Sequence, residues 1–310
     1  MMHLTIIGFG NQSKAWAMNL KDSHFPFNVG LRPESSSFLQ IKTSGLKSTI
    51  IGTEEFYNSD VFALLIPDHL HDEFLSQHAA RIKRHSAIIY AHGYSVVKHN
   101  LDQKYPHLNH LLFAPKSIGS ELRAQYLAGG QIGAVYSNEY CFSQKQEWTT
   151  WLHLLSKALG IKMGPFKTTF KKETNADLFS EQGLLCSLIP YTAELMFNHL
   201  VSNGTEPELA YLECWHELKL IINAMVESGP LHFFNMISPN ALVGSEKGRK
   251  IIINSDFQQN ILRLFREIEN GTFDQELDST NINVLRSEIE SHWKNSKLAQ
   301  IHLQLKKANT

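Results

Sequence analysis

Four carboxylates stand out by their spacing. In "ADLFSEQ", Asp177 and Glu181 lie four residues apart, and in "ECWHE", Glu213 and Glu217 repeat the interval. On a helix such residues share a face, where like charges repel by a few tenths of a kcal/mol or so. Leu178, Phe179, Leu184 and Leu185 surround the first pair, and Leu209, Tyr211, Leu212, Trp215, Leu218, Leu220 and Ile221 the second. A carboxylate in apolar company is costly unless it is paired or bound to a metal. Both pairs therefore read as oxygen ligands of a divalent cation, and the second helix, apolar nearly all round, is expected to keep its glutamates out of water. All-oxygen ligation favours Mg²⁺ or Mn²⁺ over zinc. Cys214 and His216, two residues apart, point to different helix faces and do not change the choice. Ion pairing with Lys219 or Arg263 is the alternative.

A second chemical signal opens the chain. "IIGFGNQSKAWAMNL" reads as strand, turn and helix, with Gly8 and Gly10 in the turn. Glycines there permit close approach of a pyrophosphate to the backbone at a helix N-terminus. Ser13 stands at the third position of G-x-G-x-x-G, so an ordinary βα turn is the competing reading. At the next strand end, "VGLRPESSSF" offers Arg32, Ser35, Ser36 and Ser37 as donors to a 2′-phosphate, which points to NADPH. Glu34 in the same loop is a counter-signal. A nicotinamide cofactor and a divalent cation in one chain together indicate metal-assisted reduction of a carbonyl.

These groups need a scaffold, and the sequence supplies one in two halves. Short apolar runs ("LTIIG", "FNVGLR", "VFALLIP", "SAIIYAHG", "HLLFAPK", "QIGAVYS") alternate with helical segments. That pattern predicts a doubly wound α/β domain on a parallel sheet over 1–168, closing near "IKMGPFKTTF". From 169 to 310 the texture is helical throughout. A break or kink is expected at Pro190. A capping box is expected at Thr205 and Glu208, with Gly229 closing that helix.

With 29 Lys+Arg against 30 Asp+Glu and no basic run, the chain lacks the charge pattern of a nucleic-acid binder. Its three cysteines, Cys141, Cys186 and Cys214, form no disulfide framework, so a reducing compartment is expected. The apolar runs read as too short for a bilayer, and "HLTIIGFG" reads as a first strand rather than a signal peptide. The expectation is a cytoplasmic protein with neither membrane nor nucleic acid as partner.

In these residues the chain resembles the ketol-acid reductoisomerase (acetohydroxy acid isomeroreductase) family, over nearly its whole length and in matching order. "GFGNQSKAWAMNLKDS" is similar to that family's first βα unit, with Gly8, Gly10 and Gln12 toward the cofactor. "VGLRPESSSF" resembles its NADPH-phosphate loop, and "LLIPD", ending in Asp68, its cofactor-lining strand end. "AHGY" places His92 on the active-site histidine, and "APK" places Lys116 on the lysine. "TTFKKETNADLFSEQGLLC" and "AYLECWHELKLI" carry the two ligand pairs.

The resemblance implies two Mg²⁺ ions bridged by Asp177, with Glu181 on one and Glu213 on the other. It makes Glu217 a water-linked ligand and candidate acid/base. It implies a 2-hydroxy-3-keto acid such as 2-acetolactate as substrate, converted by alkyl migration and reduction to a 2,3-dihydroxy acid. Ser238, in "MISPN", matches a serine that contacts the substrate carboxylate, and Cys186 reads as a wall residue. The resemblance further implies a knotted helical domain and a homodimer or larger homo-oligomer, Glu213 and Glu217 facing the first pair from the second subunit. A hydrogen-bonded strand-end histidine and a surface lysine are the plainer readings of His92 and Lys116. The sequence departs from the family at "PKSIGSE", at Ser187 and Leu188 after Cys186, and at Pro239. These changes fall on the substrate wall and leave room for a related enzyme acting on a different 2-keto acid.

Overall fold

The computed structural model describes residues 2–308, and by its contacts the chain divides between Thr174 and Asn175. The first unit is an eight-stranded sheet in the order β3-β2-β1-β4-β5-β6-β7-β8. The strands are β1 (Leu4–Ile7), β2 (Phe27–Leu31), β3 (Ser48–Ile50), β4 (Val61–Leu64), β5 (Ala87–Tyr90), β6 (Asn109–Pro115), β7 (Ile132–Tyr140) and β8 (Ile161–Lys167). The first six run parallel, as in dinucleotide-binding folds, and the order reverses between β1 and β4. Ligands of such sheets bind in the crevice beyond the carboxyl ends of the strands at that reversal.

The expectation of a wholly parallel sheet fails after β6, because β7 pairs with it antiparallel. Pro115 lies opposite Ala134, and the Lys116 amide donates to the Gly133 carbonyl. The helix Gly119–Ala128 is thus an insertion at the tip of a hairpin, with no net traverse of the sheet.

Apolar side chains cover both faces. Leu4 and Ile6 pack with Trp16, Leu20, Trp148 and Trp151 on one, and Ile7, Phe62 and Leu64 with Phe56, Phe74 and Tyr90 on the other. This two-sided burial is why the strands read as continuous apolar runs rather than alternating ones. Trp16 meets Phe113 edge-on at 5.7 Å, which ties α1 (Asn11–Asp22) to β6.

Two histidines of this unit, His71 and His110, are buried, and burial pushes both below the usual imidazole range. The folded state therefore keeps them neutral where the unfolded chain would take up protons. Their contribution to stability is complete above about pH 6.5 and is lost as pH falls below it. A thermal melt at pH 5.5 should show Tm about 3 °C or more below that at pH 7.5, and His71→Gln should reduce the difference.

The second unit is helical. Tyr211, Phe197, Cys214, Leu298 and Ile301 form its small core, and the Tyr211 hydroxyl meets His302 Nδ1 at 2.8 Å. Two local expectations are corrected here, and a third holds. The break near Pro190 comes earlier, at a π-helical turn (Glu181–Leu185), and Pro190 lies in the first turn of the helix Leu188–Ser202, where its missing N–H costs nothing. Pro207 starts its helix after Glu206, so Thr205 does not cap it. Gly229, non-helical at φ 75°, does close its helix as expected, and a new helical stretch runs from Pro230 to Met236.

The run Phe170–Ser202 is long and apolar enough by composition to cross a membrane, contrary to the sequence reading. It is interrupted by the π-helical turn, and it carries a buried Glu194 held by His292 at 2.7 Å. Apolar side chains are nevertheless widely exposed on this unit, Val226 at 76% and Leu231 at 78% among them.

Candidate active site

The dinucleotide turn has the geometry its glycines predict. Gly8 sits at φ 90°, and a Cβ there would lie 2.8 Å from Ile66 Cγ2. Gly10 faces open space and leads into α1, whose N-terminus has no side-chain cap, leaving backbone N–H groups for an anion. Ser13 is buried, and its hydroxyl donates to the Gly10 carbonyl at 3.1 Å, so the replaced glycine leaves no unpaired donor. The turn thus fits a pyrophosphate.

The Gln12 side-chain amide Nε2 donates to the Ser117 carbonyl at 2.7 Å. Beside that bond the backbone of Gly119 lies against Asn11, where a Cβ would clash with the Asn11 carbonyl oxygen. The segment after Lys116 is therefore clamped to the cofactor turn. Gly119→Ala is expected to cost about 2 kcal/mol through this clash. It should lower Tm by about 5 °C and weaken NADPH binding, both measurable by thermal shift with and without cofactor.

Arg32 is exposed after the end of β2. Ser35 turns its backbone N–H to the Arg32 carbonyl at 3.1 Å, and Ser35 Oγ accepts from the Ser37 amide at 3.3 Å. The loop is a turn that presents its arginine to water.

Beyond the carboxyl ends of β5 and β6 lies a charged cluster centred on a residue the sequence reading did not single out. Glu173 is buried, its side chain 1% exposed. Its Oε1 accepts from Lys116 Nζ at 2.5 Å, and its Oε2 from the Gly93 amide at 2.7 Å. Gly93 has to be glycine, since a Cβ would lie 2.7 Å from the Phe170 carbonyl oxygen and from Thr174 Oγ1. His92 Nε2 is 3.9 Å from Glu173 Oε2, and its Nδ1 is 3.4 Å from Asp68 Oδ2. The Tyr94 ring stacks on the imidazole at 6.1 Å and 8°. His92 and Lys116, 24 residues apart in sequence, are thus joined through one carboxylate. The signal was available: Glu173 precedes Asp177 by the same four residues that separate Asp177 from Glu181.

The helix Phe170–Ser180 carries Asp177 half-buried, and Glu181 opens the π-helical turn that follows. A second π-helical turn, Leu212–His216, contains Glu213, and Glu217 begins the next helix. Such turns are rare and recur at functional sites. Glu181, Glu213 and Glu217 are exposed in the single chain, which corrects the expectation that the apolar helix buries its pair. The apolar neighbours Leu209, Leu212 and Leu220 are exposed with them. As a donor set, four carboxylates suit a hard divalent cation.

Cys186 is exposed, and partial burial followed by the charges of Glu181 and Asp177 pushes its thiol up, away from a reactive thiolate. Ser238 caps the helix Pro239–Ile252, its Oγ accepting from the Ala241 amide at 3.2 Å. Pro239 is then the first residue of a helix, a position that suits it.

Comparison with known proteins agrees with both units. The family model for the ketol-acid reductoisomerase C-terminal domain matches residues 170–309, and that for the acetohydroxy acid isomeroreductase NADPH-binding domain matches 2–163. An NADH-preferring ketol-acid reductoisomerase from an uncultured archaeon superposes with a TM-score of 0.84 at 25% identity, covering 99% of this chain and 94% of that one. A pyrroline-5-carboxylate reductase from Coxiella burnetii is similar in fold at 14% identity and a TM-score of 0.62, covering 88% and 98%. A semialdehyde dehydrogenase NAD-binding protein from Cupriavidus necator is similar in fold at 14% and 0.63, covering 87% and 99%.

Proposed function

Because the chain belongs to the ketol-acid reductoisomerase family, and is thereby an NAD(P)-dependent oxidoreductase, we propose that it converts 2-acetolactate-type acids to 2,3-dihydroxy acids with NADPH and Mg²⁺. In that reaction the C2 hydroxyl loses its proton, and the alkyl group moves with its bonding electrons from C2 to C3. C2 becomes a carbonyl as the C3 oxygen takes a proton. Addition of hydride and a proton then turns the C2 carbonyl into a hydroxyl. When bound, Mg²⁺ polarises the substrate's oxygens and the nicotinamide supplies the hydride.

The observation that carries the reading is the Glu173 cluster, which holds Lys116 and the backbone next to His92 at the strand ends where such folds bind ligand. Lys116, fixed as a cation against Glu173, offers an N–H donor to a substrate oxygen. Asp177, Glu181, Glu213 and Glu217 would hold the metal, with Glu217 the candidate acid/base. Ser238 and Cys186 would line the substrate. Gly8 and Gly10 would receive the pyrophosphate, and Arg32 with Ser35 and Ser37 the 2′-phosphate. The neighbour of highest similarity described above prefers NADH, so Arg32 is the support for NADPH here.

Exposed carboxylates set among exposed leucines support a homodimer that completes the site, with the second copy covering Leu209, Leu212 and Leu220. A cytoplasmic location is part of the same proposal.

The test is NADPH oxidation by the purified protein with racemic 2-acetolactate, in Mg²⁺ and in EDTA, with NADH in parallel. Oxidation that needs Mg²⁺ and is faster with NADPH is expected. No oxidation by protein that binds NADPH and Mg²⁺ in calorimetry would overturn the substrate, leaving the second reading. That reading is the same chemistry, or reduction alone, on another 2-keto acid; Ser187 and Leu188 beside Cys186 favour it.

A further inference from the structure

The carboxylate of Asp68 lies between two histidines. Its Oδ2 is 3.4 Å from His92 Nδ1, and its Oδ1 is 3.6 Å from His71 Nδ1. The two rings are not equivalent partners. His71 is 1% exposed, and its Nε2 lies 3.0 Å from the Ile66 carbonyl oxygen. A carbonyl oxygen only accepts, so the single proton of the neutral His71 ring is on Nε2. Its Nδ1 then holds a lone pair, to which Ser95 Oγ donates at 2.7 Å. That lone pair offers Asp68 nothing, and the carboxylate is left to His92.

The placement follows from the sheet. Asp68 comes just after β4 and His92 just after β5, and these are adjacent parallel strands whose ends bring the two side chains together. With Asp68 accepting from Nδ1–H, His92 presents Nε2 on the side of Glu173.

We propose that Asp68, read from the sequence as a cofactor residue, is a positioning residue for His92: it fixes the Nδ1–H tautomer and the ring plane, and the Ile66–His71–Ser95 arrangement keeps Asp68 committed to that bond. The catalytic consequence rests on the reading of His92 as an active-site group, whereas the tautomer does not.

The test labels the histidines with ¹⁵N and identifies the His92 signals by their loss in His92→Gln, at a pH where the ring is neutral. Wild-type protein should show His92 protonated at Nδ1. Asp68→Ala should move it to the Nε2–H form that free imidazole side chains prefer, and should lower kcat at least tenfold with less than a threefold change in NADPH Kd. Asp68→Asn, whose amide oxygen can still accept from Nδ1–H, should retain the tautomer and recover part of kcat. It also serves as the second variant should alanine impair folding. An unchanged tautomer in Asp68→Ala overturns the proposal. So does a tenfold loss of NADPH affinity with kcat preserved, which would return Asp68 to the cofactor. If the wild-type protein does not turn over acetolactate, the tautomer measurement still decides the role of Asp68 while the functional reading fails separately.

Discussion

Glu173→Gln is expected to lower kcat about a hundredfold while leaving NADPH affinity within about threefold of the wild type. The substitution preserves shape and removes one acceptor. In the protein both carboxylate oxygens are used, Oε1 by Lys116 Nζ at 2.5 Å and Oε2 by the Gly93 amide at 2.7 Å. A glutamine has one acceptor oxygen and an NH₂ group that only donates, so it can satisfy Lys116 or Gly93 but not both. The Lys116 side chain is 38% exposed and can turn to water, whereas the Gly93 amide is buried and has no water to replace a lost acceptor. A buried donor left unpaired costs about 1–3 kcal/mol, and more when it is charged. A hundredfold in rate corresponds to about 2.7 kcal/mol, which an unpaired Gly93 amide beside His92 and a displaced Lys116 together account for. Steady-state kinetics with a thermal melt check this. A kcat within threefold of wild type would sink the assignment of the cluster as the reacting centre, even if Tm fell.

Glu173 also marks where the sequence became hard to read. The i, i+4 spacing made Asp177, Glu181, Glu213 and Glu217 visible because that interval is a property of the helix alone. Extending it one turn back reaches Glu173, but its importance comes from burial, and burial there depends on the ends of β5 and β6 arriving at the same place. No local pattern encodes that meeting. The parallel strands β1, β2 and β4 to β6 were legible as apolar runs because both sheet faces are covered. β3, three residues at the sheet edge, is too short to leave a pattern. The antiparallel β7 could not be told from a parallel one, since a helix in the connection is equally compatible with a crossover and with a hairpin insertion.

The π-helical turns were invisible for a related reason. Residues four apart share a face in either helix type, so the spacing of Glu213 and Glu217 does not reveal the wider turn that holds Glu213. The burial of that pair was misread because a helix apolar on all sides implies partners without saying which chain supplies them. In the single chain Leu212 and Leu220 remain exposed beside the glutamates.

Asp177→Asn is expected to remove Mg²⁺-dependent turnover of acetolactate by at least about a thousandfold, with NADPH binding retained. Asp177 follows Glu173 by one turn of the helix Phe170–Ser180, and Glu181 follows at the start of the π-helical turn. A carboxylate would offer a hard cation two anionic oxygens, whereas an amide offers one neutral oxygen and an NH₂ group that cannot ligate it. Polarisation by the metal is worth several kcal/mol of barrier, and about 4 kcal/mol corresponds to the thousandfold loss. The cofactor turn at Gly8 and Gly10 belongs to a different part of the chain from this helix, so NADPH titration by fluorescence should be unaffected and separates lost metal chemistry from unfolding. Retained Mg²⁺-dependent activity in Asp177→Asn would place the cation elsewhere and break the link between the four-residue spacing and the chemistry inferred from it.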